Sequence, residues 1–536
     1  MGLFLNTASP LTLYGEMVKS TYFVDKTVFI SKISERIGTN NKYICITRPR
    51  RFGKTVMANM LGAFFTKNVN SLDIFSSLKI SQNEQIMQRM NQYNVIYIDF
   101  SRVSVANASY HSYIENISSI LKCDLHQAYG DVIYREGSSV SEDLERITAA
   151  TGERFIFIFD EWDAIFHASF ITEADRKSYL LFLKDLLKDR AYVYLAYMTG
   201  VLPISKYTSG SELNSFAEYN MATMVLYSDI FGFTDAEVDS LFARYMQVTE
   251  TPQVTREGLK IWYDGYHTAA GKLIYNPRSV VLALQNNQLY NYWTSSGPYD
   301  EIFYYIKNNI QAVRDDLALM VAGERIAVKI QEYAAMLLQL NTKQQIFSAM
   351  VVYGLLTYES GRVFIPNKEL MDKFNELLLT KSSLGYVHQL AIKSERMLQA
   401  TLNGDIKTMS RILEFAHNTE TPLLSYNNET ELSAIVNLVY LAARDRYHVQ
   451  REDKAGMGYV DFIFYPYNHN DDCMILELKV DHSPEEAIAQ IKQKQYALKF
   501  AGTLGDANKC YSGRILAVGI GYNRKDKQHR CKVEVL

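Results

Sequence analysis

Residues 46–56 contain the parts of a phosphate-binding loop. They read ITRPRRFGKTV and end in Gly-Lys-Thr, although Arg48 stands where such a loop usually begins with glycine. Lys54 could reach the β- and γ-phosphates of a nucleoside triphosphate, and the Thr55 hydroxyl could hold Mg²⁺. The residue types therefore indicate nucleotide binding, and the altered first position is the question they raise.

A second, acidic segment could complete this chemistry. Asp160 and Glu161 follow an apolar run in FIFIFDEWDAIF (155–166). At the end of a buried strand, the first carboxylate could hold magnesium, usually through water, and the second could polarise the water that attacks the γ-phosphate. Thr199 ends the next apolar run, where it could sense the γ-phosphate or simply end a strand. The pattern predicts an ATP or GTP site with Asp160 near the metal and Glu161 as a catalytic residue.

Near the C-terminus, three charged residues could form a metal-dependent hydrolytic site. Asp461 lies in one predicted strand, and Glu477 and Lys479 lie in the next, where residues i and i+2 point to the same face. Two carboxylates and a lysine on one face are costly unless a divalent cation binds there. Magnesium held by Asp461 and Glu477 would polarise a scissile phosphate, and Lys479 would stabilise the developing charge. The alternative is a solvated strand face, which the apolar residues around Glu477 disfavour.

The elements that must position the nucleotide site are those of an α/β domain. Short apolar runs alternate with amphipathic stretches, at residues 42–47, 95–100, 155–160 and 192–200. Continuous apolar strands are buried on both faces, which predicts a parallel sheet covered by helices. Thr47 ends the first strand and Thr55 opens a helix, so the loop lies at a strand-to-helix turn. Free N–H groups and the helix dipole favour an anion at such a turn.

The rest of the chain predicts a mostly helical middle region and a second α/β domain. Residues 351–378 indicate a helix, a hairpin turned at Glu359-Ser360-Gly361 and another helix, an order that winged-helix modules also have. Later come a helix, two strands, a helix and two more strands, at about 429–445, 457–466, 473–480, 484–500, 513–523 and 531–536. We predict three domains, at residues 1–235, 236–415 and 416–536.

Composition narrows the class of protein. The chain has 536 residues, a formal net charge of -3 and 5 cysteines without a CxxC pair. The charge excludes a global polybasic signature, and the cysteine spacing argues against a zinc site or a disulfide framework. No apolar run reaches the ~18 residues that a membrane helix needs. We therefore expect a cytoplasmic protein without a membrane contact, which would bind nucleic acid through local patches.

Ordered motifs in residues 1–300 resemble the AAA-like ATPase family whose phosphate-binding loop reads RPRRFGKS/T. The loop is preceded by YFVDKTVFISKI and followed by FDEWDAIF, TGVLPISKY, FGFTDAEV, WYDGY and YNPRSV. An arginine at the first loop position is the norm in that family, so the resemblance implies an intact ATP site. It implies nucleotide contacts from Arg48, Pro49, Arg50, Arg51, Phe52, Gly53, Lys54, Thr55 and Val56. For Arg50 and Arg51 a solvated loop is the alternative.

The C-terminal pattern resembles the PD-(D/E)XK nuclease superfamily, in the branch habitually fused behind that ATPase family. The lead-in GMGYVD and the later helix with QIKQKQY support the match. The resemblance implies that a glutamate of the first helix completes the metal site. Spacing to later residues favours Glu431, whereas the local N-N-E favours Glu429. The resemblance also implies that Gln490 and Tyr496 contact phosphate or the active site; an ordinary helix face is the alternative for both.

Together these features predict an ATP-dependent nuclease that uses Mg²⁺ or Mn²⁺ and acts on phosphodiester bonds, with DNA favoured over RNA. Fusions of this kind suit defence against foreign DNA or the maintenance of mobile elements. Two alternatives remain open: a nucleotide-dependent switch whose C-terminal domain binds nucleic acid or protein without cleavage, and an ATPase with a vestigial nuclease core. AAA-type sites often borrow an arginine from a neighbouring subunit, so a homo-oligomer is also compatible with the sequence.

Overall fold

The helices and strands were located in a computed structural model. It describes residues 2–102, 109–133, 137–168, 170–204, 213–293, 310–321, 323–330, 342–380, 386–417, 429–455, 458–500 and 511–536.

The α-helices of these ranges alternate with the strands in the first half of the chain and dominate its middle. They are α1 (Ser9–Val18), α2 (Val28–Ser34), α3 (Lys54–Phe65), α4 (Leu72–Phe75), α5 (Glu84–Met87), α6 (Tyr110–Ile133), α7 (Val140–Thr151), α8 (Glu173–Leu187), α9 (Asp235–Val248), α10 (Arg256–Tyr263), α11 (Pro277–Gln285), α12 (Ile310–Val321), α13 (Lys343–Val352), α14 (Lys368–Thr380), α15 (Tyr386–Leu402), α16 (Ile406–His417), α17 (Glu429–Val439) and α18 (Pro484–Gln493).

The strands fall into an N-terminal group and a C-terminal group, with short hairpins between. They are β1 (Tyr43–Thr47), β2 (Asn94–Asp99), β3 (Phe155–Asp160), β4 (Val193–Gly200), β5 (Ala217–Tyr219), β6 (Tyr266–His267), β7 (Leu273–Ile274), β8 (Ile326–Ala327), β9 (Thr357–Glu359), β10 (Arg362–Phe364), β11 (Tyr447–Ala455), β12 (Gly458–Pro466), β13 (Cys473–Val480), β14 (Ile515–Asn523) and β15 (Gln528–Val535).

The chain divides into two compact units. Unit 1 comprises Met1–Pro298 and Val328–Glu369, and unit 2 comprises Tyr299–Ala327 and Leu370–Leu536. The boundaries near residues 235 and 415 that the sequence indicated stay a prediction about which parts fold independently.

Unit 1 is built on a parallel sheet with the strand order β2-β3-β4-β1-β5. Strands β1 and β3 are buried along their whole length, which explains their unbroken apolar sequences. The predicted α/β class is thus confirmed for this unit. Asp99 pairs with Asp160, and Ile46 pairs with Thr199, so the carboxyl ends of four strands meet at one edge of the sheet. The candidate nucleotide residues lie at this edge.

The hairpin predicted between two helices is also present in unit 1. Strands β9 and β10 pair with Arg362 opposite Glu359, so only Ser360 and Gly361 form the turn. Both turn residues have positive φ, 48° and 82°, as a two-residue hairpin with type I′ geometry requires. A winged-helix identity for this segment stays a prediction.

Unit 2 contains a mixed sheet with the order β11-β12-β13-β14-β15. Only β13 and β14 run parallel, and helix α18 forms the crossover between them. Ser483 and Glu486 form a capping box at the start of α18. A Cβ on Gly519 of β14 would lie 2.4 Å from the Pro484 carbonyl oxygen, so this glycine lets the helix approach the sheet. That approach places the next turns of α18 over β13.

Two C-terminal elements differ from the sequence prediction. Strand β11 was not predicted; it pairs with β12 at the edge of the sheet, where a polar sequence such as QREDK gives no apolar signal. The helix expected over 484–500 ends at Gln493 and is followed by a 3₁₀ segment at Tyr496–Phe500, because Gln495 adopts a left-handed conformation with φ 55°.

None of the helices within the described ranges is both long and apolar enough to cross a membrane.

Candidate active sites

Lys54 is held by the loop that precedes it. It is the first residue of α3 and is only 3% exposed. Its Nζ donates hydrogen bonds to the carbonyl oxygens of Arg48 at 3.1 Å and Pro49 at 3.2 Å, and lies 3.6 Å from a Glu161 carboxylate oxygen. The backbone therefore positions the ammonium group at the turn between β1 and α3.

Asp160 lies beside this loop, where it is buried and bonded by two threonine hydroxyls. The Thr199 hydroxyl donates to its Oδ1, and the Thr55 hydroxyl also hydrogen-bonds the Asp160 side chain. Its Oδ2 has no hydrogen-bond partner among the residues that the structure describes. Burial and, to a smaller extent, the negative charge of Glu161 raise the pKa of Asp160 to about 6, although the two hydroxyls act in the opposite direction. A buried carboxylate with one open oxygen, next to the Thr55 hydroxyl, fits a hard cation such as Mg²⁺.

Glu161 has an unusual backbone that directs it toward the loop. Its φ is 51°, a left-handed conformation that costs a non-glycine residue about 1 kcal/mol. Its N–H faces the Thr199 hydroxyl oxygen at 3.4 Å, and its carboxylate, 24% exposed, faces Lys54. Thr199 therefore contacts both predicted acidic residues.

A cavity of about 400 Å³ opens next to these groups. One end is lined by Arg51–Val56 together with Glu161, and Arg48, Pro49 and Arg50 do not contribute to its described wall. The remaining wall comes from three other segments: residues 17–26, 230–233 and 277–285. Sequence reasoning did not assign these wall residues, although most of them fall in the motifs YFVDKTVFISKI, FGFTDAEV and YNPRSV.

The three loop arginines have three different environments. Arg48 is 1% exposed and donates to the carbonyl oxygens of Thr47 at 2.8 Å, Tyr219 at 2.6 Å and Tyr227 at 3.0 Å, with its guanidinium 5.0 Å from the Phe231 ring centre. Burial lowers the pKa of Arg48 to about 9. These bonds do not support the nucleotide contact that the resemblance implied; they show a cation that braces the start of the loop.

Arg51 and Arg50 also differ from each other in their hydrogen-bond partners. Arg51 donates to the carbonyl oxygens of Tyr292, at 2.7 Å, and Trp293. Arg50 is half-buried and has no hydrogen bond or ion pair to any residue in the described part of the chain. The alternative of a solvated side chain therefore fits Arg50 but not Arg51.

The second candidate site lies in unit 2, where β12 and β13 pair. Phe462 lies opposite Leu476, so Asp461 and Glu477 are the next facing pair. Asp461 Oδ2 accepts a hydrogen bond from the Leu478 N–H at 2.7 Å. Lys479 Nζ donates to Glu477 Oε1 at 3.1 Å. The structure thus brings together the three residues that the strand pattern selected.

Two residues from the following helical segment join this group. The Gln490 side-chain amide of α18 donates to Glu477 Oε1. Tyr496 hydrogen-bonds Gln490, and burial raises the pKa of Tyr496. Both residues therefore face the site, as the resemblance implied, and the alternative of an unrelated helix face does not fit them.

Glu477 has the electrostatic character of a potential metal ligand. Burial and, to a smaller extent, the negative charge of Asp461 raise its pKa to about 7, although Lys479 acts in the opposite direction. Its Oε2 finds no hydrogen-bond partner within the described residues. Asp461 and Glu477 supply the oxygen ligands that magnesium prefers, so the residues fit that ion.

The first-helix glutamate could not be placed at this site. Glu429 and Glu431 belong to helix α17, but their side chains lie outside what the structure describes. Within the described residues no group of three or more His, Cys, Asp or Glu side chains is arranged to hold a metal ion. The choice between Glu429 and Glu431 therefore stays open.

Comparison with known families matches the two sites. Residues 14–208 match the AAA-ATPase-like family, whose description is "Predicted AAA-ATPase", and residues 428–518 match the PD-(D/E)XK nuclease superfamily. The chain is an AAA-ATPase-like domain fused to a PD-(D/E)XK domain. Both resemblances read from the sequence are confirmed. The AAA-ATPase-like match contains the phosphate-binding loop and Asp160, and the PD-(D/E)XK match contains Asp461, Glu477 and Gln490.

A curated relative comes from Azotobacter chroococcum mcd 1, where it is described as an uncharacterized protein in the vnfD 5' region. It is 29% identical over 282 residues, which cover 52% of this chain and 51% of the relative. The match thus spans about half the length of that relative.

Solved structures show weaker similarity. The Walker-type ATPase paby2304 of Pyrococcus abyssi is 11% identical, with a TM-score of 0.40 and coverage of 66% of this chain and 96% of that chain. The ORC2 protein of Aeropyrum pernix, in its ADPNP-ADP complexes, is 10% identical, with a TM-score of 0.31 and coverage of 66% and 93%. Similarities of this size do not establish a shared activity.

Proposed function

We propose that this protein hydrolyses ATP in unit 1 and cleaves phosphodiester bonds, preferably of DNA, in unit 2. The observation that carries the nuclease assignment is the environment of Glu477. This acid is buried, its pKa is raised to about 7, one of its oxygens is open, and Asp461, Lys479 and Gln490 surround it. Burying so many polar groups together costs folding free energy. Such a cost is typical of catalytic sites, and binding of a partner alone does not require it.

In the nuclease site, bound Mg²⁺ or Mn²⁺ would polarise the scissile phosphate and lower the pKa of a coordinated water. Asp461 and Glu477 would hold the ion, with Glu429 or Glu431 as a further ligand. Lys479 stabilises the negative charge that develops on the phosphate. Gln490 orients the Glu477 carboxylate through its hydrogen bond, and Tyr496 orients Gln490.

In the nucleotide site, we assign the residues the roles that the sequence predicted. Lys54 neutralises the β- and γ-phosphates, while Thr55 and Asp160 would hold Mg²⁺. Glu161 polarises the attacking water. Thr199 holds Asp160 and faces the Glu161 N–H, so it aligns the two acids with each other. The cavity beside the loop has the volume of a typical small-molecule site, which fits a nucleotide.

The proposal extends to the setting of this activity. A cytoplasmic location and a role in defence or mobile-element maintenance rest on the sequence arguments. A homo-oligomer that supplies an arginine to the ATP site is tested by sedimentation of the full chain with and without ATP. An ATP-dependent increase in mass supports it, and an unchanged monomer counts against it.

An assay with the full chain tests both activities. Duplex DNA, single-stranded DNA and RNA are incubated with Mg²⁺, with and without ATP, and cleavage is compared with that of Lys479→Ala and Asp461→Ala. We expect the wild type to cleave and the Lys479→Ala and Asp461→Ala variants not to cleave. We expect Lys54→Ala to lose ATP hydrolysis. Wild-type cleavage no greater than that of both nuclease variants would overturn the nuclease assignment, and binding without cleavage would favour the regulatory switch.

A further inference from the structure

The phosphate-binding loop is anchored by residues far away in the sequence. Arg51 donates to the carbonyl oxygens of Tyr292 and Trp293. Phe52 contacts the Tyr266 ring edge-on at 5.0 Å. A Cβ on Gly354 would lie 2.6 Å from the Pro49 Cβ, which shows how closely the two segments approach. These contacts connect the loop to segments near residues 266, 292 and 354 that lie outside the parallel sheet.

One buried carboxylate organises the segment that Arg51 contacts. Glu369 is 0% exposed, and its Oε1 accepts hydrogen bonds from the backbone N–H groups of Tyr292 at 2.8 Å and Trp293 at 2.7 Å. The same two residues offer their carbonyl oxygens to Arg51. The backbone at 292–293 is therefore held on its N–H groups by Glu369 and on its carbonyl oxygens by Arg51, two residues that are far apart in sequence. We call this arrangement the clamp.

Glu369 also bonds a helix that lines the nucleotide cavity. Its Oε1 accepts a third hydrogen bond, from the Ser279 hydroxyl at 3.0 Å. Ser279 lies in the first turn of α11, which Asn276 caps through its bonds to the N–H groups of Arg278 and Ser279. Arg278 lines the cavity that also contains Lys54. One side chain thus connects the helix of Arg278 to the loop of Arg51.

A purely structural role would not need an acid at this position. A neutral amide oxygen could accept the same three hydrogen bonds without the cost of burying a charge. Burial raises the pKa of Glu369 to about 7, and the nearby Arg51 charge acts in the opposite direction. The pairing of a buried anion with a cation of the phosphate-binding loop indicates a link between the two rather than support for one turn.

We propose that Glu369 is a positioning residue of the nucleotide site, which acts with Arg51 to hold the phosphate-binding loop and the first turn of α11 at a fixed separation. The proposal rests on nucleotide binding in unit 1. Neither residue has to touch the reacting atoms. Their role is to hold Lys54 and Arg278 in place within the lining of one cavity.

The clamp also involves the first turn of helix α14. Glu369 is in the first turn of α14, and the division between the two units falls between Glu369 and Leu370, inside this helix. A shift of the loop on nucleotide binding would therefore change the hydrogen bonds that Glu369 accepts at the start of α14.

Binding of a fluorescent ATP analogue with Mg²⁺ to the full chain tests the clamp. We expect Glu369→Ala and Arg51→Ala each to weaken binding roughly tenfold, the size of effect that follows the loss of hydrogen bonds to a charged group. The double variant should be no weaker than either single variant, because both changes break one connection. Glu369→Gln should weaken binding by about threefold, less than Glu369→Ala, because its amide oxygen can accept the same three bonds but it lacks the charge that acts on Arg51.

Glu376→Ala is the matched control. This glutamate lies in the same helix, is 59% exposed and pairs only with Lys373 in the described structure, so its loss should leave binding unchanged. Melting without nucleotide shows whether each variant is folded. If Glu369→Ala does not fold, Arg51→Ala carries the test, since Arg51 lies at the surface end of the clamp.

Hydrogen exchange of residues 368–380 tests this effect of nucleotide binding on α14. Exchange should slow when ATP is added to the wild type and stay unchanged in Arg51→Ala. Wild-type affinity and turnover in folded Glu369→Ala and Arg51→Ala, together with loss of binding in Lys54→Ala, would overturn the clamp while leaving the proposed ATPase intact. Absence of nucleotide binding in the wild type would instead remove the proposed function itself.

Discussion

The nucleotide site and the nuclease site bury similar acids but hold their lysines in different ways. Asp160 and Glu477 are both buried, both have a raised pKa, and each keeps one oxygen without a described partner. Lys54 is held by two carbonyl oxygens of its own loop, whereas Lys479 bonds directly to Glu477. Backbone geometry therefore organises the first site, and side chains organise the second.

This difference follows from where each site is built. A strand-to-helix turn provides carbonyl and N–H groups that can hold an ammonium group and an anion without help from other side chains. The pleated face of a sheet has most of its backbone groups engaged in the ladder, so its charged residues satisfy one another to a larger extent, although the Leu478 N–H also donates to Asp461. We expect the nuclease site to depend more strongly on each of its side chains.

The largest expected effect is the loss of one activity while the other site stays functional. Glu477→Gln should lower Mg²⁺-dependent cleavage by about a thousandfold, because an amide cannot replace a metal-binding carboxylate, and it should leave ATP hydrolysis unchanged. Lys54→Ala should abolish ATP hydrolysis but leave Mg²⁺ binding by unit 2 unchanged. Parallel assays of hydrolysis, cleavage and calorimetric Mg²⁺ binding check both variants. Loss of ATP hydrolysis in Glu477→Gln, or loss of Mg²⁺ binding by unit 2 in Lys54→Ala, would contradict independent sites.

The second prediction concerns the backbone that organises the nucleotide site. Arg48→Met should lower the free energy of unfolding of unit 1 by about 3 kcal/mol, because three carbonyl groups lose a charged donor in the interior. Arg50→Met is the control and should change it by less than about 0.5 kcal/mol, since Arg50 is half-buried and has no described partner. All 3 tryptophans, at positions 162, 262 and 293, lie in unit 1, so tryptophan fluorescence during urea unfolding reports on this unit. Equal effects of the two substitutions would show that Arg48 does not brace the loop.

The third prediction is a pH dependence of the nuclease site. The pKa of Glu477 is raised from 4.5 to about 7, so the folded protein favours its protonated form and the free energy of unfolding without metal falls as pH rises from 4.5 to about 7. Mg²⁺ requires the ionised carboxylate, so its affinity should rise about tenfold between pH 6 and pH 8. Calorimetric titration at both pH values measures this change, and Glu477→Gln should remove it. A wild-type affinity that does not change with pH would contradict the raised pKa.

The smallest effect is expected for the hydroxyl that joins Asp160 and Glu161. Thr199→Val should slow ATP hydrolysis about fivefold to tenfold, because Asp160 loses one neutral hydrogen bond, and should leave DNA cleavage unchanged. Thr148→Val removes a hydroxyl of unit 1 that bonds only the Glu153 carbonyl oxygen in the described structure, and it should not alter hydrolysis. An unchanged rate in Thr199→Val would make Thr199 a strand terminus alone.

Local patterns were sufficient wherever one element carried the signal. The apolar run at 155–160 coincides with β3, which is buried along its whole length, and the run at 473–480 coincides with β13, whose first six residues are buried. Lys54 and Thr55 could be assigned because a strand and a helix flank them in sequence. Asp461, Glu477 and Lys479 could be grouped because a single hairpin sets their register.

Residues whose partners are distant in sequence were beyond this reasoning. Arg48 bonds carbonyl groups 171 and 179 positions away, and Glu369 bonds Ser279 from 90 positions away. Backbone carbonyl and N–H groups are present at every residue, so no residue type marks the ones that a buried side chain will meet. The edge strand β11 was missed for a related reason, since its pairing partner and not its composition makes it a strand.

The sequence by itself determined the residue types of both candidate sites, their periodicity within one strand or turn, and the two families to which they correspond. The tertiary structure alone decided that Arg48 braces the loop, that Arg51 binds the segment at 292–293, and that Glu369 bonds both this segment and Ser279. The physical reason is that chemistry depends on side chains that are close along the chain, whereas positioning depends on backbone groups brought together by folding.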